Sequence, residues 1–199
     1  MYKIGFIGNS CTGKTTSAFN LIKWLKINKT RTGYCNDICR FVTFDPNLFD
    51  TDPKARLNVL FSQISNELEN EVRADVDYLI TERTVIDWYL YYLWTCKNTK
   101  KEPEQYIADM VSNWIESYDL FIYMDSESMY YVNDGYRPAS TKIRDEINED
   151  YITFFGSLKE LYPDKVIHIK APEIADRIDE VEEKFGVWFE SHKILRPSK

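Results

Sequence analysis

Gly8-Asn9-Ser10-Cys11-Thr12-Gly13-Lys14-Thr15-Thr16 follows the apolar run Ile4-Gly5-Phe6-Ile7 and leads into a helical stretch, Ser17 to Lys26. The spacing is G-x-x-x-x-G-K-T, and its context is strand, loop, helix. A strand that delivers a glycine-rich loop to a helix start lets the loop amides and the positive helix end converge on phosphate oxygens. Gly8 and Gly13 supply turn conformations and close approach that a side chain would block. Lys14 is placed to reach the outer phosphates, and the Thr15 hydroxyl to sit on Mg²⁺. Residues 8 to 16 therefore predict a nucleoside triphosphate site, with ATP and Mg²⁺ as cofactors.

Around this loop, 199 residues with 44% hydrophobic content suit one α/β domain with a full core. The expected domain spans residues 1–190, with 191–199 as a frayed or loosely docked tail. Apolar runs suited to buried strands occur at Lys3–Ile7, Gly33–Cys35, Tyr78–Thr81, Leu120–Met124 and Val166–Ile169. Helical patterns lie at Thr15–Ile27, Ala55–Val72, Val85–Cys96, Glu104–Ser117, Thr141–Leu161 and Ile174–Phe185. Alternation of this kind predicts a three-layer P-loop NTPase fold with a five-stranded parallel sheet.

Composition narrows the partners. The net charge of −7 opposes a nonspecific grip on nucleic-acid backbones. Cys11, Cys35, Cys39 and Cys96 are irregularly spaced and have only His168 and His192 as imidazole companions, so reduced thiols are expected rather than zinc. There is no apolar run of about eighteen residues, so no membrane span is expected. The start of the sequence enters the first strand directly, leaving no signal peptide, and a cytoplasmic location is expected.

A phosphate loop needs a carboxylate for the water shell of its Mg²⁺, placed beyond a neighbouring strand end. Tyr78-Leu79-Ile80-Thr81-Glu82 puts Glu82 there, followed by Arg83, with Thr84 and Asp87 opening the next helix. Asp125 and Asp45 compete for the role. An acceptor hydroxyl needs a second carboxylate within hydrogen-bond reach, to act as base. Arg40 and Arg83 suit an anionic acceptor or the orientation of that base. Arg137 and Arg144 are seven apart around a helix start, so both could close on the phosphates; salt bridges to Asp145, Glu146 or Glu149 are the alternative, and Lys142 shares the neighbourhood. In the run Trp88-Tyr89-Leu90-Tyr91-Tyr92-Leu93-Trp94, Trp88 and Tyr92 are the candidates to stack on an acceptor base, with Phe44, Phe49 and Tyr131 behind them.

Ile80-Thr81-Glu82-Arg83-Thr84 resembles the Glu-Arg-Ser or Asp-Arg-Thr signature of P-loop deoxynucleoside kinases and of the nicotinamide riboside kinase-like AAA_28 family. Asp37 and Arg40 are similar to that family's Glu-x-x-Arg pair, with Asp in place of Glu, a base one carbon shorter; the resemblance makes Asp37 the first candidate for the base, with Asp45 and Asp87 next in line. Asp134-Gly135-Tyr136-Arg137 is similar to its Asp-Gly-x-Arg. The resemblance spans about residues 1 to 185. It implies a kinase in which Lys14, Asp37, Arg83 and Arg137 act on the transferred group and Asp37, Arg40 and Arg83 receive the acceptor, with Trp88 and Tyr92 of the aromatic run as its stacking candidates. The acceptor is a nucleoside, nucleotide or ribosyl compound, or a hydroxymethylated pyrimidine in DNA if the enzyme is phage-encoded and works in the host cytoplasm. A nucleotide-hydrolysing switch is the third reading, and a homodimer is compatible with all of them.

Overall fold

A computed structural model describes residues 1–45, 47–73, 75–126 and 142–194, the Lys142 side chain excepted. Five strands form one parallel sheet: β1 (Tyr2–Ile7), β2 (Thr32–Cys35), β3 (Tyr78–Thr81), β4 (Leu120–Met124) and β5 (Val166–Ile169). Their spatial order is β2-β3-β1-β4-β5, so β1 is central, with Ile4 opposite Ile80 on one side and Leu120 on the other. These strands are short, nearly continuous apolar runs, as expected for strands covered on both faces.

The helices are α1 (Lys14–Ile27), α2 (Leu48–Thr51), α3 (Pro53–Glu71), α4 (Val85–Thr99), α5 (Gln105–Ile115), α6 (Lys142–Leu161) and α7 (Ile174–Ser191). One sheet face packs Ile4, Phe6, Ile122 and Met124 against Leu21 and Leu25 of α1 and Val181, Phe185 and Phe189 of α7. The other face packs Phe121 and Tyr123 with Val59, Val85, Ile107 and Ile147 of α3 to α6. Alternate residues of β4 thus serve opposite layers, which is the period-two geometry of a strand. This is the three-layer α/β fold the alternating pattern predicts.

Local chemistry sets the helix starts. Asp52 caps α3 by accepting from the Lys54 N–H, ahead of Pro53 in the first turn. Thr84 and Asp87 close a reciprocal capping box at the start of α4.

Helix α2 has no counterpart in the sequence reading, and the end of α7 departs from it. Helix α7 runs six residues beyond the expected Phe185, because its apolar stripe continues past Gly186 through Trp188 and Phe189, and Trp24 meets Phe189 edge-on at 5.0 Å. The start of the expected tail is docked: His192 stacks on Trp188 at 4.1 Å, and its carbonyl accepts from the Tyr78 hydroxyl at 2.9 Å. Residues 195–199 lie outside the described residues.

Lys3 sits in the central strand yet is buried. Its ammonium pairs with Glu67 at 3.1 Å and with Glu71, over the rings of Trp114 and Tyr118. Glu67 also accepts from Tyr118, Trp114 and Gln63, so the buried charge is fully surrounded by donors. Gln63 donates in turn to the Arg83 carbonyl at 2.9 Å, which connects this network to the end of β3. Among the described residues no helix is long and apolar enough to cross a membrane.

Candidate active site

The loop that leaves β1 is shaped by backbone conformations that suit glycine. Gly8 has φ +148°, and a Cβ there would lie 2.5 Å from the Met124 carbonyl oxygen. Gly13 has φ 83° and caps α1, while Cys11 takes a left-handed φ of 60°. Lys14 curls over the loop and donates to the Gly8 carbonyl at 2.6 Å and the Asn9 carbonyl at 2.5 Å. The Thr12 hydroxyl donates to the Asn9 carbonyl, and the Asn9 side chain accepts from the Ser10 N–H. Ser10 and Tyr91 share a hydrogen bond at 2.9 Å. Thr16 is exposed on the first turn of α1. Arg144 reaches the loop by its backbone, its carbonyl accepting from Asn9 Nδ2 at 2.7 Å.

Glu82 lies at the end of β3, next to β1, and accepts from the Thr15 hydroxyl. Its other oxygen accepts from the Tyr34 hydroxyl at 2.5 Å and the Asp37 N–H at 3.4 Å. Burial and this carboxylate push the Tyr34 hydroxyl far above its ordinary pKa, so it remains a donor. The competing carboxylates are engaged elsewhere. Asp125 bonds His168 Nε2 at 2.9 Å, and Asp45 closes an exposed turn by accepting from Asn47. The Thr15 and Glu82 oxygens are hard donors of the kind Mg²⁺ takes. Among the described residues no three His, Cys, Asp or Glu side chains form a metal cage. An ion held by one protein carboxylate, a hydroxyl, phosphate oxygens and water is the usual Mg²⁺ pattern, and the pair fits it.

Asp37 follows β2 and is buried. One oxygen caps the 3-10 turn Ile38–Phe41 through the Cys39 N–H, and the other accepts from Arg83 Nε at 3.1 Å. Arg40 lies 3.9 Å from Asp37 and 3.8 Å from Glu82. Burial alone would disfavour the Arg83 charge, but Asp37 and Asp87 outweigh it and hold the guanidinium charged well above the ordinary arginine range. Arg83 lies over the Trp88 ring at 5.0 Å and near Tyr91 at 5.8 Å.

The structure brings Lys14, Thr15, Asp37, Arg40, Glu82 and Arg83 together at the carboxyl end of the sheet. It does not give Trp88 and Tyr92 open ring faces for stacking; each is only 2% exposed. Trp88 is the shelf under Arg83, and the Tyr92 hydroxyl accepts from the Glu104 N–H beside the start of α5, with its pKa pushed up to about 12 by burial. An aromatic run circles the whole helix, and the inward rings go to the core. Phe44 and Phe49 pair edge-on at 5.2 Å, with Arg56 4.7 Å from the Phe49 ring. Arg137 and Tyr131 lie outside the described residues.

Two contributors escaped the sequence reading, and a third was read in another role. Tyr91 was hidden among its aromatic neighbours. Asp87 was read as a helix-start residue and a reserve base, not as a partner of the loop backbone. Arg177 of α7, fully buried, donates to the carbonyls of Thr12, Asp125 and Ala171 at 3.2, 2.5 and 2.6 Å, and no local pattern announces it.

A family model described as an AAA domain, AAA_28, matches residues 3–170. A structure of NadR protein in complex with NR aligns with a TM-score of 0.60 at 18% identity, covering 100% of this chain and 54% of that one. NadR protein in complex with NAD and AMP-PNP aligns at 0.56 and 15% identity, covering 100% and 52%. The chain therefore spans about half the length of these NadR chains. Thymidylate kinase from Candida albicans aligns at 0.57 and 15% identity, covering 99% of this chain and 96% of that one. No curated protein sequence matches. With its phosphate loop, parallel sheet and strand-end carboxylate in place, the chain belongs to the AAA_28 family and shares a P-loop α/β fold with these structures.

Proposed function

We propose that this chain transfers the γ-phosphoryl group of ATP to a hydroxyl of a nucleoside, nucleotide or related ribosyl small molecule. The observation that carries this reading is the contact between Asp37 and Glu82. The Asp37 N–H donates to the carboxylate that also holds Thr15, so a second buried carboxylate stands beside the phosphate loop. A carboxylate at that place can take the proton of an attacking hydroxyl. The likeness to NadR bound to NR and to thymidylate kinase supports a nucleoside-type acceptor.

In this mechanism the loop amides and Lys14 hold the donor phosphates, and Lys14 leaves its loop carbonyls to follow the charge that grows on the transferred group. Mg²⁺ on Thr15 and Glu82 would neutralise donor oxygens. Asp37 accepts the proton of the attacking hydroxyl, and Arg83 orients that carboxylate. Arg40, exposed beside Asp37 and Glu82, positions the acceptor from the open side. Arg137 and the Arg144 side chain are assigned to the donor phosphates in the same scheme.

A screen with γ-labelled ATP against nucleosides, nucleotides and hydroxymethyl-containing DNA tests the reading. Label in a small molecule is the expected result. Label in DNA would move the acceptor to a modified base in the polymer. Label released only as free phosphate would replace the kinase with a hydrolysing switch.

A further inference from the structure

Asp87 is completely buried and has no part in the transfer chemistry above. One carboxylate oxygen, Oδ2, completes the helix cap by accepting from the Thr84 N–H at 2.9 Å and the Thr84 hydroxyl at 3.0 Å. A capping box asks for no more than that oxygen. The second oxygen, Oδ1, accepts from the Gly8 N–H at 3.2 Å and from the Tyr151 hydroxyl at 2.9 Å, and lies 3.5 Å from Arg83 Nη1. The first glycine of the phosphate loop, the arginine that holds Asp37 and a tyrosine of α6 therefore meet on one atom.

A buried anion is costly unless several donors share it, and a cap alone would not call for one here. Burial pushes the Tyr151 hydroxyl well above its ordinary pKa, and the neighbouring Asp87 charge adds to this, so Tyr151 stays a donor. Helix α6 touches the loop a second time where the Arg144 carbonyl accepts from Asn9. Asp87 thus joins α6 to the loop backbone and to Arg83 at once.

We propose that Asp87 is the positioning residue of the phosphate site. Its Oδ1 sets the Gly8 amide and the Arg83 guanidinium in one frame, and Tyr151 registers α6 against that frame. This role rests on the loop binding Mg·ATP and not on the identity of the acceptor.

The test uses the full chain as wild type, Asp87→Asn and Tyr151→Phe. Each is labelled with ¹⁵N-glycine, which gives at most seven backbone resonances. Three quantities are read: the Gly8 amide shift, Mg·ATP affinity by calorimetry, and ADP formation with water as acceptor. In Asp87→Asn the Gly8 resonance moves, ADP formation falls by roughly 10²-fold, and Mg·ATP affinity changes far less, the signature of misplaced reacting groups. Tyr151→Phe moves the same resonance through Asp87 and slows ADP formation several-fold. A folded Asp87→Asn with wild-type turnover and an unmoved Gly8 resonance overturns the proposal. Should Asp87→Asn fail to fold, Tyr151→Phe decides alone, and an unmoved resonance with wild-type turnover overturns it. A wild type that binds Mg·ATP but forms no ADP counts against the phosphotransfer reading; the Gly8 shift and the affinity then decide the Asp87 role by themselves.

Discussion

Arg177 donates to the Thr12 carbonyl at 3.2 Å, so a helix 165 residues downstream holds the phosphate loop by its backbone. The same guanidinium binds the carbonyls that end β4 and follow β5, and it is completely buried. Replacing it by Met leaves three carbonyl acceptors without their donor. Arg177→Met is expected to cost about 3 kcal/mol, from buried groups left unpaired. The urea midpoint measures this, and Mg·ATP affinity should weaken with it. A midpoint equal to wild type would mean that water replaces the guanidinium without loss.

Glu82→Gln keeps the shape of the side chain and removes its charge from Thr15 and Arg40. The Mg²⁺ concentration needed for half-maximal ATP binding should rise by roughly 10-fold or more, the scale at which groups around a metal act. A Mg²⁺ titration by calorimetry reads the shift. If the titration is unchanged, the ion is held by another carboxylate.

Asp37→Asn should leave ATP affinity near wild type while phosphoryl transfer to the identified acceptor falls by about 10²–10⁴-fold, the contribution of a positioned base. Arg83 keeps Asp87 beside it in this variant, which limits the damage to folding. Asp37→Glu restores the family's side-chain length and should retain part of the activity. Transfer at the wild-type rate in Asp37→Asn would make Asp37 a cap of the 3-10 turn and nothing more.

His168 links stability to pH. Burial lowers its pKa, with Lys170 and Lys184 acting the same way, and the bond to Asp125 opposes the shift without cancelling it. The folded chain therefore binds this proton more weakly than the unfolded chain, whose His titrates near pH 6.5. The contribution is present above that pH and is lost as pH falls through the unfolded value towards the folded one. Urea midpoints taken between pH 7.5 and 5.5 should drop more steeply in wild type than in His168→Gln. Parallel slopes would show that other groups carry the acid sensitivity.

Tyr78–Thr81, Leu120–Met124 and Val166–Ile169 have the same bounds in sequence and structure, because a buried parallel strand is a compact apolar run between turn residues. That Lys14, Thr15 and Glu82 would lie side by side was legible for a similar reason: a loop motif and a strand end are local features. The Arg83–Asp37 pair was not a local feature, since it joins residues 46 apart, and only family resemblance suggested that both serve one site. Asp87 and Arg177 carry long-range contacts, 79 and 165 residues in span, that leave no periodicity to read. The aromatic run misled because ring type alone does not distinguish a ligand shelf from core. Burial decided it, together with the arginine already on Trp88.

The central place of β1 has a consequence for biosynthesis. Translation delivers the phosphate loop before either strand that flanks β1, and both partners, β3 and β4, arrive from more distant sequence. Non-local parallel pairing of this kind is slow, because long loops must close before any contact rewards them. The Thr12 carbonyl then waits still longer, for Arg177. Within this domain the phosphate loop is thus made before the segments that complete its shape. The loop's full set of backbone bonds exists only once the chain has reached Arg177.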